Sequence, residues 1–404
     1  MKILKLEIEG YRSFRSQVWC PGDLNVIIGP NASGKSNLLR VLEMLSVAAQ
    51  GRLGAYVQRE GGMEPMVWDG RADKIRLRAS MTPIPPYADL TKDALSYELT
   101  LQRLGKSSAY RIQREALANA LDMELLTRDP HRALIFSMAT QCFEPVEGRA
   151  TTTPGPGIEA PLASLSEEEP LLASASGPFA ANRFVAEFQK ELAAWRIHQE
   201  FLTHSEAIIR QPQITRAEAQ LEPDGQNLIA VLHSLYNSHR DFKNEVNTAM
   251  QAAFGDDFEE LAFPPAADGR IQLGVRWKSL QRGVPAADLS DGTLRFLFLL
   301  GALANPNPAP LIAIDEPETG LHPSMLRIVA EYARDAANRT QVVLTTHSPE
   351  FLDAFADQPP TTTVVDWHDG GTNLRILSGD QLSYWLKQYT LGELYRSKEL
   401  EAMT

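Results

Sequence analysis

The chain has 404 residues, with 39 basic and 51 acidic side chains and a net charge of −12. A chain of this length can bury a large core, as one composite domain or two, and its acidity argues against nonspecific coating of nucleic acid while leaving room for a local basic strip. Its two cysteines, Cys20 and Cys142, form no metal-ligand spacing or disulfide framework, and no apolar run of about 18 residues is present to cross a bilayer, so a cytoplasmic protein is expected.

The opening MKILKLEIEG alternates apolar and charged residues, which predicts a half-buried strand over Lys2–Ile8 rather than a signal peptide. Tyr11-Arg12-Ser13-Phe14 follows at a turn, and Val18–Cys20 and Leu24–Ile28 read as the next strands. Gly29-Pro30-Asn31-Ala32-Ser33-Gly34-Lys35-Ser36 then fits the G-x-x-x-x-G-K-[ST] phosphate loop, between a strand and the amphipathic helix expected over Lys35–Ala49. In such a loop two glycines let the backbone wrap phosphates, the lysine meets the β and γ oxygens, and the Ser36 hydroxyl binds Mg2+.

Residues Gly51–Gly70 are Gly-rich and read as irregular. Ile75–Met81, Leu95–Gln102 and Ala109–Gln113 alternate with period two, the pattern of an antiparallel sheet. Basic residues collect here, among them Arg76, Arg78, Arg111 and Arg114. They fit either a strip that meets phosphates or the solvated polar faces of edge strands. From Glu144 to Pro178 the composition turns to Pro, Gly, Ser, Thr and acidic residues, which predicts an exposed insertion loop. Phe179–Ile209 returns to helical spacing through Phe184, Phe188, Leu192, Trp195 and Phe201. Asp224-Gly225-Gln226-Asn227 caps a helix over Leu228–Tyr236, a second helix covers Asp241–Phe254, and Arg270–Trp277 reads as a strand.

The stretch from Asp288 to Pro323 organises the rest. Leu289-Ser290-Asp291-Gly292-Thr293 is a Gly-containing turn before the apolar segment Leu294–Leu303, and a helix N-terminus with a small hydroxyl suits a phosphate. Leu311–Ile314 reads as a buried parallel strand ending in Asp315-Glu316, at the carboxyl edge where open α/β sheets bind ligands. Gln341–Leu344 is a further apolar strand, with His347 just beyond it.

GPNASGKS, LSDGT, LIAIDEPE and Leu344-Thr345-Thr346-His347-Ser348 resemble the Walker A, signature, Walker B and switch-histidine motifs of ABC-type ATPases, most closely the RecF/SMC-like branch of soluble AAA family ATPases. The opening ILKLEIEGYRSF and the closing LGELYRSKEL are similar to that branch too, and the likeness weakens only between about Tyr87 and Ser205. The resemblance implies an α/β fold: an ABC-type P-loop ATPase head with a mixed or parallel core sheet, an antiparallel β-subdomain and a small helical insertion. Its expected parts are an N-terminal lobe over residues 1–214 carrying the 144–178 insertion, a helical subdomain over 215–269 and a C-terminal lobe over 270–404, together one composite domain. Sustained heptads and a C-x-x-C hook are missing from the sequence, so the chain does not read as a long coiled-coil rod.

By the same resemblance the cofactors are ATP and Mg2+. The expected ATP-binding residues are Arg12, Gly29, Asn31, Ser33, Gly34, Lys35, Ser36, Asn37, Ser290 and Gly292. Glu316 polarises the attacking water, His347 senses the γ-phosphate, and Lys35 completes the catalytic set. Ser36 and Asp315 hold Mg2+ with a glutamine: Ile208–Ile214 resembles the Q-loop, which makes Gln211 the candidate, with Gln213 and Gln141 as rivals. His322 recurs in the family, with no chemistry beyond shaping its loop. Ser290 and Gly292 face the nucleotide of a partner protomer, so a head-to-tail, ATP-dependent homodimer is implied.

Three classes of function fit these motifs. The first is an ATP-driven dimer switch that works on or with DNA or RNA and a separately encoded effector such as a nuclease, in genome maintenance or antiphage defence. The alternative is the ATPase subunit of a membrane transporter, which the RecF-like ends oppose. The third, a scaffold with a decayed ATPase, is opposed by the intact Lys35, Ser36, Asp315, Glu316 and His347. The related overcoming-lysogenization-defect nucleases append a metal nuclease domain; no acidic metal cluster follows His347 here, so nuclease activity is expected in another protein.

Overall fold

The computed structural model describes residues 1–84, 94–105, 108–119, 124–138, 154–159, 166–175, 182–214, 217–377 and 389–402. The chain divides into two compact units. The first comprises Met1–Pro21, Ala32–Trp195 and Val365–Arg375, and the second Gly22–Asn31, Arg196–Val364 and Ile376–Thr404. These boundaries differ from a 1–214, 215–269 and 270–404 division. The helices Leu228–Ser238 and Arg240–Phe254 have no core of their own; their apolar faces share one continuous cluster with the helix Asp291–Leu303.

The first unit is built on an eight-stranded sheet in the order Phe14–Trp19, Ile3–Tyr11, Lys74–Met81, Leu95–Arg103, Tyr110–Ala118, Glu124–Asp129, Arg132–Met138, Pro154–Glu159. Every pairing in it is antiparallel, as the period-two alternation predicts. The helices Lys35–Ala49 and Arg183–Ala193 pack in the same unit, and the Tyr97 and Phe188 rings stand 5.7 Å apart. Residues 51–70 are less irregular than their composition suggests: a helix covers Leu53–Arg59, with Gly54 in its first turn and the other glycines outside it.

Parts of the 144–178 segment are ordered, contrary to the expectation of an exposed loop. Pro154–Glu159 adds a strand, and Leu171–Ala175 forms a short 3-10 helix with Leu171 and Leu172 buried. Composition misses this because the order comes from outside the segment. The fully buried Glu115 accepts the amides of Leu171 and Leu172 at 2.6 and 3.0 Å and the Tyr97 hydroxyl at 3.0 Å, while Arg128 reaches the carbonyls of Ser166 and Glu169. Burial raises the Glu115 carboxyl above its usual range, against these hydrogen bonds that favour its charge. The other residues of the segment, with Gln141 and Cys142, lie outside the described ones.

The arginines of this sheet are largely engaged. Arg76 meets both oxygens of Glu98 at 3.2 Å, Arg78 donates to Ser96, Arg111 donates to Gln102, and Arg114 meets Glu124 at 3.0 Å. They alternate with their acceptors across neighbouring strands, the arrangement of a solvated mixed-charge sheet face.

A parallel sheet runs through the second unit in the order Arg196–His198, Leu311–Ile314, Gln341–Thr346, Leu24–Ile28, Thr361–His368, the last strand pairing through Thr361–Val364. Uninterrupted burial of Leu311–Ile314 and Gln341–Thr346 is what a sheet covered on both faces demands. The strand Arg196–His198 replaces the C-terminal part of the helix expected over Phe179–Ile209. That helix ends at Ala193, and Trp195, Ile197 and Phe201 serve other packing whose spacing happens to continue the helical period.

His198 fixes the end of this strand. Its carbonyl accepts the Asp315 amide at 2.9 Å, and its ring meets Phe298 edge-on with centroids 4.9 Å apart. A proline carbonyl can only accept, so Nδ1 carries the proton donated to Pro223 at 2.9 Å. Burial pulls the imidazole down to about 4, so the folded protein holds it neutral at pH 7. The unfolded chain takes up this proton near pH 6.5, so the contribution is present above that pH and is lost as pH falls toward the folded value. Urea titrations of wild type and His198→Asn should therefore diverge by about 3 kcal/mol between pH 6.5 and 4, with the wild type losing more. A difference independent of pH would mean that the ring is not held neutral.

Candidate functional site

In a parallel sheet all strands end at one edge, so register decides which loops meet. In the second unit the register pairs Ile28 with Thr346, Ile314 with Leu344 and His198 with Ile314. Gly29, the first phosphate-loop residue, therefore leaves the sheet beside His347. Asp315 leaves beside Thr345 on one side and Gln199 on the other.

The carboxylates at this edge are held by the threonines of the adjacent strand. Thr345 Oγ1 donates to Asp315 Oδ1 and accepts the Glu316 amide, the latter at 3.0 Å. Glu316 has φ +46°, a left-handed conformation that costs a residue with a branched or long side chain about 1–3 kcal/mol. Three hydrogen bonds over-determine it: its amide donates to Thr345 Oγ1, its carbonyl accepts from Arg295 Nη2 at 3.1 Å, and its Oε1 accepts from His347 Nδ1 at 2.8 Å. Turning the chain left at Glu316 separates its carboxylate from that of Asp315. Glu316 and His347 are partly exposed, so their reactive atoms are open to solvent.

Glu318 is a participant that the sequence reading missed. It accepts from Thr346 Oγ1 and from the His347 amide, the latter at 3.3 Å, which ties the Walker B loop to the histidine loop. Its other oxygen is buried with no hydrogen-bond partner among the described residues. Burial raises its carboxyl above the usual range, while Thr346 and the His347 amide act in the opposite direction. Arg295, from the helix Asp291–Leu303, is lowered by burial and pulled back up by Glu318, Glu316 and Asp315. The acidic cluster thus carries its own counter-charge. No residue-spacing signal announced Arg295 or Glu318, because both act through loop contacts.

The glutamine beside Asp315 is Gln199, not Gln211. Gln211 is exposed at the end of a short 3-10 helix and donates to the Glu206 carbonyl, and Gln213 donates to Ile208 and Gln226 carbonyls. The strand Gln213–Ile214 pairs with Arg270–Ile271, outside the parallel sheet. The strand Arg196–His198 that brings Gln199 there is three residues long, too short for a period-two signal.

The signature turn lies in the same unit. Ser290 caps the helix Asp291–Leu303, its hydroxyl accepting the Thr293 amide at 3.1 Å and sharing a hydrogen bond with Thr293 Oγ1 at 2.8 Å. A Cβ at Gly292 would stand 2.7 Å from the Gly320 carbonyl, so only glycine lets the turn approach the loop after Walker B. His322 caps the next helix, Pro323–Ala337, its Nδ1 accepting the Ser324 amide at 3.3 Å. From the C-terminal helix Leu391–Arg396, Tyr395 donates to the Gly29 carbonyl at 3.4 Å, and Arg396 meets Glu350 and Asp353 of the helix after His347.

The phosphate loop continues into the first unit from Ala32. Gly34 caps the helix Lys35–Ala49 with φ +112°, and a Cβ there would collide with Thr372 and Ser13 side chains. Thr372 Oγ1 donates to the Ser33 carbonyl at 2.6 Å, and Asn37 donates to Ser13 Oγ at 2.9 Å. Lys35 is buried, Ser36 half-buried and Asn31 exposed, while the buried Ser33 hydroxyl has no hydrogen-bond partner among the described residues. Arg12 is held by Glu60 and lies against the Tyr11 ring, rather than standing free for a ligand.

Among the described residues no cluster of three or more His, Cys, Asp or Glu side chains suits a metal ion, and no helix is long and apolar enough to cross a membrane. Two family models match: residues 196–353 match "AAA domain, putative AbiEii toxin, Type IV TA system", and residues 1–59 match "AAA ATPase domain". No curated protein matches the sequence. Among solved structures, an SMC head bound to the C-terminal winged-helix domain of ScpA is 14% identical, with TM-score 0.53 over 95% of this chain and 100% of that one. An SMC head with an extended coiled coil, bound to the C-terminal domain of ScpA from Pyrococcus furiosus, is 13% identical, with TM-score 0.53 over 96% and 99%. These likenesses show the head fold, and the two family models fall on the segments that carry the phosphate loop and the Walker B, signature and histidine motifs. The chain thus matches AAA ATPase family models over residues 1–59 and 196–353 and has the fold of an SMC head.

Proposed function

We propose that the chain binds ATP through Gly29, Asn31, Ser33, Gly34, Lys35, Ser36 and Asn37 and hydrolyses it with Glu316 as general base and His347 as its partner. The contact that carries this reading is the 2.8 Å hydrogen bond from His347 Nδ1 to Glu316 Oε1 at the carboxyl edge of the parallel sheet. With Nδ1–H donated to the carboxylate, Nε2 can accept from water in the neutral ring, and donates to a phosphate oxygen when it carries a proton. The Glu316 carboxylate then has one oxygen oriented by His347 and one left to polarise the attacking water. Lys35 supplies a positive charge to the phosphate oxygens.

Mg2+ prefers oxygen ligands, and Ser36, Asp315 and Gln199 offer a hydroxyl, a carboxylate and an amide oxygen. Asp315 and Gln199 end neighbouring strands in register, which supports this donor set over one using Gln211. When bound, the ion neutralises charge on the β- and γ-phosphates.

The exposed Ser290 at a helix N-terminus, with Gly292 beside it, supports a head-to-tail homodimer in which each signature turn meets the partner's nucleotide. In this reading ATP closes the dimer and hydrolysis reopens it, and the switch controls a separately encoded effector such as a nuclease, acting on nucleic acid in antiphage defence or genome maintenance. The toxin–antitoxin wording of one matched family model favours the defence setting. The engaged arginines and the net charge of −12 favour contact with nucleic acid through the effector over direct binding on the antiparallel sheet.

Glu316→Gln should lower kcat by about 10²–10⁴ and leave ATP affinity intact, since the shape and one hydrogen bond persist. Hydrolysis at the wild-type rate would remove Glu316 as base. Lys35→Ala should instead weaken ATP binding, and unchanged tight affinity by equilibrium titration would count against the phosphate loop.

Shared sites are tested by mixing Lys35→Ala with Ser290→Arg. In a head-to-tail heterodimer one site combines both defects and the other neither, so hydrolysis should return, rising with protein concentration. The Lys35→Ala, Ser290→Arg double variant mixed with wild type, where each heterodimer site carries one defect, is the control. Absence of recovery in both hydrolysis and ATP-dependent dimerisation would exclude a signature acting in trans.

A further inference from the structure

We infer that Arg210 is a positioning residue that holds the signature turn in the pose it presents to a partner's nucleotide. The inference rests on the composite-site reading above and extends it to a residue outside the recognised motifs.

Arg210 belongs to the short 3-10 helix Ile208–Arg210, yet its guanidinium works almost entirely on the stretch leading into Ser290. Nη1 donates to the carbonyls of Ala286 at 3.1 Å, Ala287 at 3.1 Å and Leu289 at 2.7 Å. Nη2 meets Asp291 Oδ1 at 2.5 Å, and Nε donates to the Thr203 carbonyl at 2.7 Å. One planar group thus gathers acceptors on both sides of Ser290 and ties them to its own loop. The side chain is only 9% exposed, so these carbonyls have little water to replace a lost donor.

Ala286 and Leu289 sit in the core and the Ala286 amide donates to the Leu273 carbonyl at 2.8 Å, so the exposed Ser290 and Asp291 are the part of the turn left for Arg210 to hold. Ser290 and Asp291 are exposed, and the hydrogen bonds described above for Ser290 stay within its own helix start. Asp291 offers its carboxylate to Arg210 although it is 69% exposed, where an isolated ion pair would contribute little. The contact makes sense as geometry: it fixes the first residue of the helix Asp291–Leu303, and with it the amides beside Ser290. Lysine cannot reproduce this pattern, because its three donors radiate from one point while the guanidinium fork spans several acceptors.

Arg210 also starts from the right place. Its loop begins at Gln199, beside Asp315, and Phe201 stacks on Phe298 of the signature helix with centroids 4.3 Å apart. A continuous segment therefore runs from the Walker B edge to the signature turn of the same chain.

The test uses full-length Arg210→Lys, with Asp291→Asn as a milder second variant. Hydrogen exchange read on nucleotide-free protein should show faster exchange across residues 286–293 in both variants, with other segments unchanged. Equal exchange at 286–293 in both overturns the inference, whatever the oligomeric state. In steady-state hydrolysis, Arg210→Lys should lose on the order of tenfold or more in kcat, while equilibrium affinity for ATP stays at the wild-type value.

Mixing then assigns the defect to a side of the site. Arg210→Lys mixed with Lys35→Ala should regain hydrolysis, because one heterodimer site receives an intact phosphate loop and an intact signature. Arg210→Lys mixed with Ser290→Arg should not, because both signatures are damaged. The reverse pattern would assign Arg210 to its own protomer's nucleotide and overturn the inference. Recovery in neither mixture, while Lys35→Ala with Ser290→Arg recovers, would reduce Arg210 to a folding role and overturn it too. Failure of Lys35→Ala with Ser290→Arg to recover strikes the composite-site reading instead, and hydrogen exchange alone then decides for or against Arg210.

Discussion

One hydroxyl organises the carboxyl edge of the parallel sheet. Thr345 Oγ1 gives its proton to Asp315 and takes the Glu316 amide, so a single buried side chain orients one carboxylate and stabilises the strained turn that carries the next. The arrangement depends on register. Ile314 pairs with Leu344, which sets Thr345 across from Asp315 and Thr346 within reach of Glu318. A slip of one residue would turn both threonines to the opposite face and leave buried polar groups unpaired. The four-residue apolar strand Leu311–Ile314 is thus a specification of chemistry as well as a core element.

From that edge the histidine loop and the signature helix are coupled by short polar contacts. Glu318 ties the Walker B loop to the His347 amide, and Arg295 ties the signature helix to the Glu316 carbonyl. Gly292 lets the signature turn lie against Gly320. Each contact is modest alone, but together they leave few ways to move one loop while the others stay still. A displacement of Glu316 or His347 would be passed, through Arg295, to the helix that Ser290 caps.

The other unit uses buried charge differently. Glu115 brings a carboxylate into a fully buried position where two backbone amides and a tyrosine hydroxyl satisfy it. Breaking such a set leaves donors unpaired, so it specifies where the 166–175 segment lies rather than adding bulk hydrophobic stability. On the outer face of the same sheet the arginines alternate with Glu98, Glu124, Ser96 and Gln102, which explains how a basic-looking sequence stretch gives a balanced surface.

The sequence by itself determined the elements whose signal is local. The strand Leu24–Ile28, the helix Lys35–Ala49 and the strand Leu311–Ile314 follow from apolar runs bounded by glycines and prolines, and the phosphate loop and Asp315-Glu316 follow from their immediate neighbours. Tertiary structure decided what depends on partners remote in the chain. Gln199 is adjacent to Asp315 only because a three-residue strand, too short for any period to show, pairs with Leu311–Ile314. Residues 154–159 and 166–175 looked like a solvated loop because the strand partner and the Glu115 carboxylate that order them lie elsewhere in sequence. Arg210 reads as an ordinary loop arginine until the fold brings five acceptors around it. Local patterns record what a residue does to its own backbone; the positions of hydrogen-bond partners across the fold are set by packing, and that is where the site acquires its geometry.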